Sequence, residues 1–123
     1  MRFLNDNEKK SILNIKKSSL NKALSLFFIY KLKKQPCFEN NIRIGILYRE
    51  IRDYKKSCEM FEILIKENTQ QNSQQIIKLC TEYIITLKDK GDFNKAIQIF
   101  EKFIKKTDDK ILKNTIEFIK KNL

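Results

Sequence analysis

Lysine is the residue type best placed to do chemistry in this sequence, because histidine is absent and the three cysteines are far apart. Without histidine, the commonest general base and metal ligand near neutral pH is missing. Two isolated glycines do not make a glycine-rich phosphate loop. The chemistry that remains is attraction between lysine ammonium groups and anions. We therefore predict a non-catalytic protein with no metal and no cofactor.

The positive charge is spread unevenly along the chain, whose formal net charge is +11. Residues 1–36 carry nine basic and two acidic residues, residues 37–76 carry six of each, and residues 77–123 carry eleven and seven. Lysines of the first segment are therefore candidates for contacts with phosphates or with another acidic partner. These candidates are Lys9, Lys10, Lys16, Lys17, Lys31, Lys33 and Lys34.

The excess of lysine also has compositional and structural interpretations, which stay open. Lysine, asparagine and isoleucine are all frequent and only four residues are arginine, which is also what a genome-wide compositional bias would produce. Lys31, Lys33 and Lys34 also suit the carboxyl end of a helix, where the backbone carbonyl dipoles attract cations. Peripheral attachment to an anionic membrane is a further use of the same side chains.

The elements that must position these residues are helices that repeat along the chain. Ala23 and Phe27 have the same spacing as Ser57 and Phe61, and again as Ala96 and Phe100. Residues four apart stack on one face of a helix. The small residue therefore lets a neighbouring helix approach, and the phenylalanine fills the gap beside it. The first two pairs lie 34 residues apart; the third follows after 39, and the extra five fit the polar stretch 69–75.

The middle unit resembles a tetratricopeptide repeat, whose period is also 34 residues. It carries Gly45, Tyr48, Asp53, Ser57 and Phe61 at the family's glycine, tyrosine, turn, small and aromatic positions. The third unit has the turn Gly91-Asp92 before Ala96 and Phe100. The first unit keeps Ala23 and Phe27 but holds Ser11 and Asn14 at the glycine and tyrosine positions. The resemblance implies an all-α, right-handed α-solenoid of helix pairs that binds other macromolecules and is not an enzyme.

We predict one domain of about seven helices. Asp53 and Gly91-Asp92 are capping signals between the helices of a pair, Pro36 ends the first unit, and Asp108-Asp109 can cap the last helix. The predicted helices span about 3–15, 19–34, 38–50, 54–68, 74–89, 93–106 and 109–121. They form units of about 4–36, 37–70 and 76–108, followed by an amphipathic capping helix at about 109–121.

In this family the concave surface lined by the first helix of each pair usually binds a protein partner. Ile12, Ile46 and Ile85 occupy the same place in the three units, and they either accept a peptide or pack against a neighbouring helix. Both interpretations stay open. The resemblance does not extend to a chaperone-tail carboxylate site, because Glu8 and Glu82 would repel the carboxylate. The predicted groove residues are Ile12, Ile42, Arg43, Ile46, Arg49, Lys78, Glu82, Ile85 and Lys88.

We expect a cytoplasmic protein, because residues 2–10 lack the apolar core of a signal peptide and the most apolar run, residues 23–30, is far shorter than the ~20 residues of a membrane span. The first hypothesis is a factor that docks on a large acidic assembly, for which a ribonucleoprotein such as the ribosome fits best. It would contact rRNA phosphates through lysines and a ribosomal protein through the groove, as a regulator, a dormancy-type factor or a small subunit. The alternative is a cytosolic adaptor or assembly cochaperone that binds a peptide in the groove. No small-molecule substrate is expected in either case.

Overall fold

The computed structural model describes residues 5–67, 73–103 and 110–123, without the side chains of residues 12–16, 73 and 111. The described residues are helical almost throughout and contain no strand. The predicted all-α class and helical-repeat fold are thereby confirmed. The described helices are α1 (Asp6–Lys33), α2 (Phe38–Glu50), α3 (Tyr54–Glu67), α4 (Ser73–Lys90), α5 (Phe93–Phe103) and α6 (Lys110–Lys121).

The first segment departs from the predicted helix pair. The predicted helices at 3–15 and 19–34 are not separate within the described residues, because residues 6–33 form one continuous helix, α1. No glycine or proline occurs between residues 6 and 33, so nothing in residues 16–18 stops the helix. Asn5 caps the amino end, where its side chain accepts a hydrogen bond from the Glu8 backbone N–H at 2.8 Å. The first unit therefore does not fold back on itself.

The turns that follow α2 and α4 have the same geometry. The backbone N–H of Asp53 donates to the carbonyl of Tyr48 at 2.9 Å, and that of Asp92 donates to the carbonyl of Leu87 at 2.8 Å. Each turn passes through one left-handed residue, which is Arg52 (φ 65°) after α2 and Gly91 (φ 91°) after α4. This bond pattern closes the carboxyl end of each helix.

The aspartates then open the next helices, as predicted. The Asp53 carboxylate accepts a hydrogen bond from the Lys56 backbone N–H at 3.1 Å, and the Asp92 carboxylate accepts one from Lys95 at 3.3 Å. Each satisfies a backbone donor that the helix itself leaves unpaired. The predicted cap at Asp108-Asp109 lies outside the described residues.

Helix packing follows the chain order, with two additional contacts, between α2 and α4 and between α4 and α6. The helices α2, α4 and α6 therefore form one row, and α3 and α5 lie outside it. The last helix, α6, buries Leu112, Ile116 and Ile119 against this row. Its apolar face covers the end of the array, which would otherwise be exposed to water.

The small and aromatic pairs of the second and third units are buried. Ser57 and Phe61 are fully buried; the Ser57 hydroxyl donates to the carbonyl of Gly45 at 2.7 Å, and the Phe61 ring lies against Gly45. Ala96 is also fully buried, and Phe100 is 9% exposed. The close approach predicted for the helix pairs α2–α3 and α4–α5 is therefore present.

Candidate functional site

The predicted lysines lie along α1 as a line of charges. At 1.5 Å per residue, the 28 residues of α1 span about 42 Å. Lys9 and Lys31 are therefore about 33 Å apart along the helix axis. The structure does not gather these lysines into a single patch, so a small anion could not contact them all.

The three lysines at the carboxyl end of α1 point in two directions. The Lys31 ammonium lies 5.0 Å from the centroid of the Phe27 ring, and the Lys34 ammonium lies 4.4 Å from that of Tyr30. The Lys33 ammonium instead lies 5.7 Å from the ring of Tyr48, on α2. An ammonium over an aromatic face is attracted by the electrons of the ring. Lys31 and Lys34 thus remain on the outer surface beside aromatic side chains, and Lys33 leans towards the α1–α2 contact.

The candidate lysines of α1 are unpaired within the described part of the chain. None of the candidates with described side chains makes an ion pair with a carboxylate of the described residues, and all of them are exposed. The ion pairs of the described residues join other parts of the chain. They are Arg49–Glu82, Lys56–Asp53, Lys78–Glu39, Lys88–Asp89 and Lys95–Glu62. The charge of α1 is therefore not neutralised by these neighbours, although the side chain of Lys16 lies outside the described residues.

A row of apolar side chains on α1 has no helix packed over it. We call Leu20, Ala23, Leu24, Phe27 and Tyr30 the open face of α1. All five are exposed, and Phe27 is 51% exposed, whereas its counterpart 34 residues later, Phe61, is fully buried. Among the described helices, α1 packs against α2 alone.

The side of α1 that does pack on α2 is not the one that the repeat predicts. Ile29 is 3% exposed and forms a small core with Ile44 and Tyr48. Its counterpart 34 residues later, Ile63, is 48% exposed. Because α1 is rotated in this way relative to α3, the face with the repeat's small and aromatic residues points outward. Sequence reasoning missed the open face because it assumed a folded helix pair here; the absence of a helix breaker was the available signal.

A cleft of about 840 Å³ adjoins the open face, between α1 and the carboxyl end of α2. Leu24 and Phe28 of α1 and Leu47 of α2 supply apolar lining. Polar side chains share the lining, and among its charged residues the three basic ones, Lys17, Lys22 and Arg52, outnumber Glu50.

Most charged residues of the predicted groove make ion pairs within the protein. The Arg49 guanidinium donates to the Glu82 carboxylate at 2.8 Å, to the Glu82 backbone carbonyl at 3.0 Å and to the Thr86 hydroxyl at 3.3 Å. Lys78 donates to the Glu39 carboxylate at 2.9 Å. These bonds cross from α2 to α4, so the side chains join two helices of the array.

The other groove positions are distributed between core and surface. Ile42 is fully buried, so it is corrected to a core residue, because α4 covers its side of α2. Ile46 and Ile85 are half-buried, and Arg43 is exposed. Lys88 lies 3.5 Å from the Asp89 carboxylate. The side chain of Ile12 lies outside the described residues.

A cluster of three titratable residues with shifted pKa values lies away from the α1 lysines, the open face and the predicted groove. Tyr83 donates to the Glu62 carboxylate at 2.6 Å, and Lys95 donates to the same oxygen at 2.8 Å. The hydrogen bonds from Lys95 and then Tyr83 lower the pKa of Glu62, and the bond to Glu62 raises the pKa of Lys95. Burial and the hydrogen bond to Glu62 raise the pKa of Tyr83. The three groups satisfy one another across α3, α4 and α5, which is a stabilising arrangement.

The buried cysteines are poorly suited to nucleophilic chemistry. Burial raises the pKa of the Cys58 thiol, and it raises that of Cys80 to about 11. Thiols in this state carry little thiolate at neutral pH and behave as small apolar side chains. Within the described ranges, no group of three or more histidine, cysteine, aspartate or glutamate side chains is arranged to hold a metal ion. The helices described are each too short or too polar to cross a bilayer.

Comparison with known proteins gives one match. A family model described as tetratricopeptide repeat matches residues 42–70, a range that includes most of α2 and all of α3. The resemblance predicted from the middle unit is therefore confirmed, and this part of the chain is a helical-repeat module of a type that binds proteins. The chain has no significant match among curated proteins and none among solved structures.

Proposed function

We propose that this protein is a non-catalytic helical-repeat factor, acting in the cytoplasm, that docks on a large acidic assembly through the lysines of α1. A ribonucleoprotein, and specifically the ribosome, is the assembly that we propose. The observation that carries the proposal is that the described candidate lysines of α1 are all exposed, follow one another along a single helix and make no ion pair with carboxylates of the described residues. Their charge is therefore available to an outside partner.

The shape of the charge supports an extended anionic partner. A line of ammonium groups that extends about 33 Å from Lys9 to Lys31 matches successive phosphates along a nucleic-acid backbone better than it matches a compact ligand. Such contacts position a protein without reading base sequence. A bound regulator, a dormancy-type factor and a small structural subunit are all compatible with this mode of attachment.

Sedimentation of cell lysate through a sucrose gradient tests the proposal. The protein should migrate with ribosomal particles at low salt and leave them at high salt, because phosphate contacts release counterions. Reversal of Lys31, Lys33 and Lys34 to glutamate should move it to the top of the gradient. The matched control reverses Lys110, Lys120 and Lys121 on α6 and should leave migration unchanged. Equal migration of the wild type and the α1 variant would contradict the proposal.

A peptide-binding adaptor is the second candidate, supported by the partial exposure of Ile46 and Ile85. The pairing of Arg49 with Glu82 weakens it, because these charges already have partners. Replacement of Ile46 and Ile85 by glutamate would abolish binding of a groove peptide and leave ribosome association through α1 intact. If the isoleucine variant loses all partner binding and the lysine variant keeps it, the result would favour the adaptor.

A further inference from the structure

The open face of α1 and the adjoining cleft form a surface whose counterparts elsewhere in the chain are covered. The counterparts of Leu24, Phe27 and Tyr30 are Cys58, Phe61 and Leu64, which are at most 5% exposed. The three residues of α1 are 45%, 51% and 59% exposed. One surface pattern is thus used twice in neighbouring units, and it is covered in only one of them.

We propose that the open face of α1 binds an amphipathic α-helix of another protein, with an apolar stripe flanked by aspartate and glutamate. This goes beyond the proposed function, because it names a protein partner that does not depend on the assembly being a ribonucleoprotein. The bound helix would take the place that a separate first helix of unit one would have filled.

The occupant is a helix because helices cover the corresponding faces. Phe61 is buried against α2 at Gly45, and α5 buries Ala96 and Phe100 in its packing with α4. Leu20, Ala23, Leu24 and Phe27 have the i, i+3, i+4, i+7 spacing that faces a neighbouring helix. A nucleic-acid backbone would leave this apolar row without a complement.

The charges around the face specify an acidic partner. Lys31 lies over Phe27 and Lys34 over Tyr30. The adjoining cleft is lined by three basic residues, Lys17, Lys22 and Arg52, and by one acidic residue, Glu50. A second copy of this chain would bring the same lysines together, and like charges across an interface are unfavourable. Carboxylates on either side of an apolar stripe would complement them.

The test uses the purified full-length chain and a synthetic helical peptide of about 18 residues, long enough to hold a helix. The peptide carries leucine at i, i+3, i+4 and i+7 and glutamate at the flanking positions. Fluorescence anisotropy should show binding, and both a scrambled peptide with the same composition and a version with lysine for glutamate should bind at least about tenfold more weakly.

The variants compare two exposed aliphatic residues, one on the open face and one on another helix. Leu24→Ser should weaken peptide binding about tenfold, since it removes one side chain that the peptide would bury. Ile63 on α3 has a similar exposure, 48% against 45%, but lies outside the open face, so Ile63→Ser should leave binding unchanged. Circular dichroism verifies that both variants keep their helices, and Phe27→Ser provides a second variant on the open face.

Four outcomes would overturn the proposal. The first is equal binding of the scrambled peptide, which would reduce the effect to net charge. The second is a dimer of the free chain that Leu24→Ser dissociates, which would make a second copy the occupant. The third is equal weakening by Leu24→Ser and Ile63→Ser. The fourth is binding of anionic vesicles or polyuridylate RNA that depends on Leu24. Sedimentation with ribosomes is independent of all four, so failure here and failure of the proposed function are distinguishable.

Discussion

The ring of Phe61 lies so close to Gly45 that a Cβ atom on that residue would stand 2.6 Å from it. Both residues are buried, and the Ser57 hydroxyl binds the Gly45 carbonyl at the same crossing. The glycine is therefore needed for the distance between α2 and α3 rather than for a special backbone conformation.

Gly45→Ala should destabilise the protein by up to about 2 kcal/mol. The added methyl group would overpack the buried Phe61 ring, and this destabilises the fold by more than the higher helix propensity of alanine stabilises it. Urea unfolding followed by circular dichroism measures the change. In the Gly45→Ala background, Phe61→Leu should cost less than it does alone, because the smaller side chain relieves the clash. An alanine variant as stable as the wild type would contradict the close contact.

Arg52→Gly should stabilise the protein by up to about 1 kcal/mol. Arg52 has φ 65°, a conformation that glycine adopts without strain and that Gly91 supplies at the equivalent turn. Thermal unfolding should show a higher midpoint. The control is Arg43→Gly, an exposed position inside α2, where glycine should instead cost about 1 kcal/mol. A loss of stability in both variants would mean that the Arg52 side chain outweighs the strain.

Arg49 and Glu82 should be energetically coupled by about 1–3 kcal/mol in a double-mutant cycle of unfolding free energies, because their side chains are only 16% and 21% exposed. Replacement of each by alanine, singly and together, gives the coupling. Lys78 and Glu39 are the matched pair across the same two helices, but both are about half exposed. Their coupling should be at most about 1 kcal/mol. Similar values for the two pairs would argue against burial as the cause.

Acidification should destabilise the protein partly through Glu62. Its pKa is lowered in the folded state by Lys95 and Tyr83, so its contribution is present above the ordinary value of 4.5 and is lost as the pH falls through the lower folded-state pKa. Glu62→Gln should lower the urea midpoint at neutral pH, and the difference from wild type should shrink at acid pH. Glu59→Gln, an exposed change on the same helix, is the control. A difference that stays constant with pH would exclude this linkage.

Most of the fold follows from local sequence signals. The periodicity of apolar residues predicted α2 to α5 to within a few residues where they are described, since helix caps at Asp53 and Asp92 stop and restart the chain. The burial of Ser57, Phe61 and Ala96 followed from the repeated spacing. The boundaries of the units and the binding roles of individual residues stay predictions.

Only part of the candidate site could be predicted in this way. The positions of the lysines on a helix were predictable, but their lack of carboxylate partners was not, since ion pairs such as Arg49–Glu82 join residues 33 positions apart. Ile42 was predicted to line the groove, but it is fully buried. The helical periodicity of a sequence shows which residues share a face, but it does not show which neighbouring helix covers that face.

The sequence by itself determined the helices, their small and aromatic contact residues and the excess of positive charge, because these depend on neighbours within one or two turns. Tertiary structure alone decided which side of α1 packs on α2. Ile29 is buried there and Phe27 is left outside, although both are apolar and only two residues apart. The rotation of a helix about its axis is set by the surfaces that it meets, and those surfaces come from distant parts of the chain.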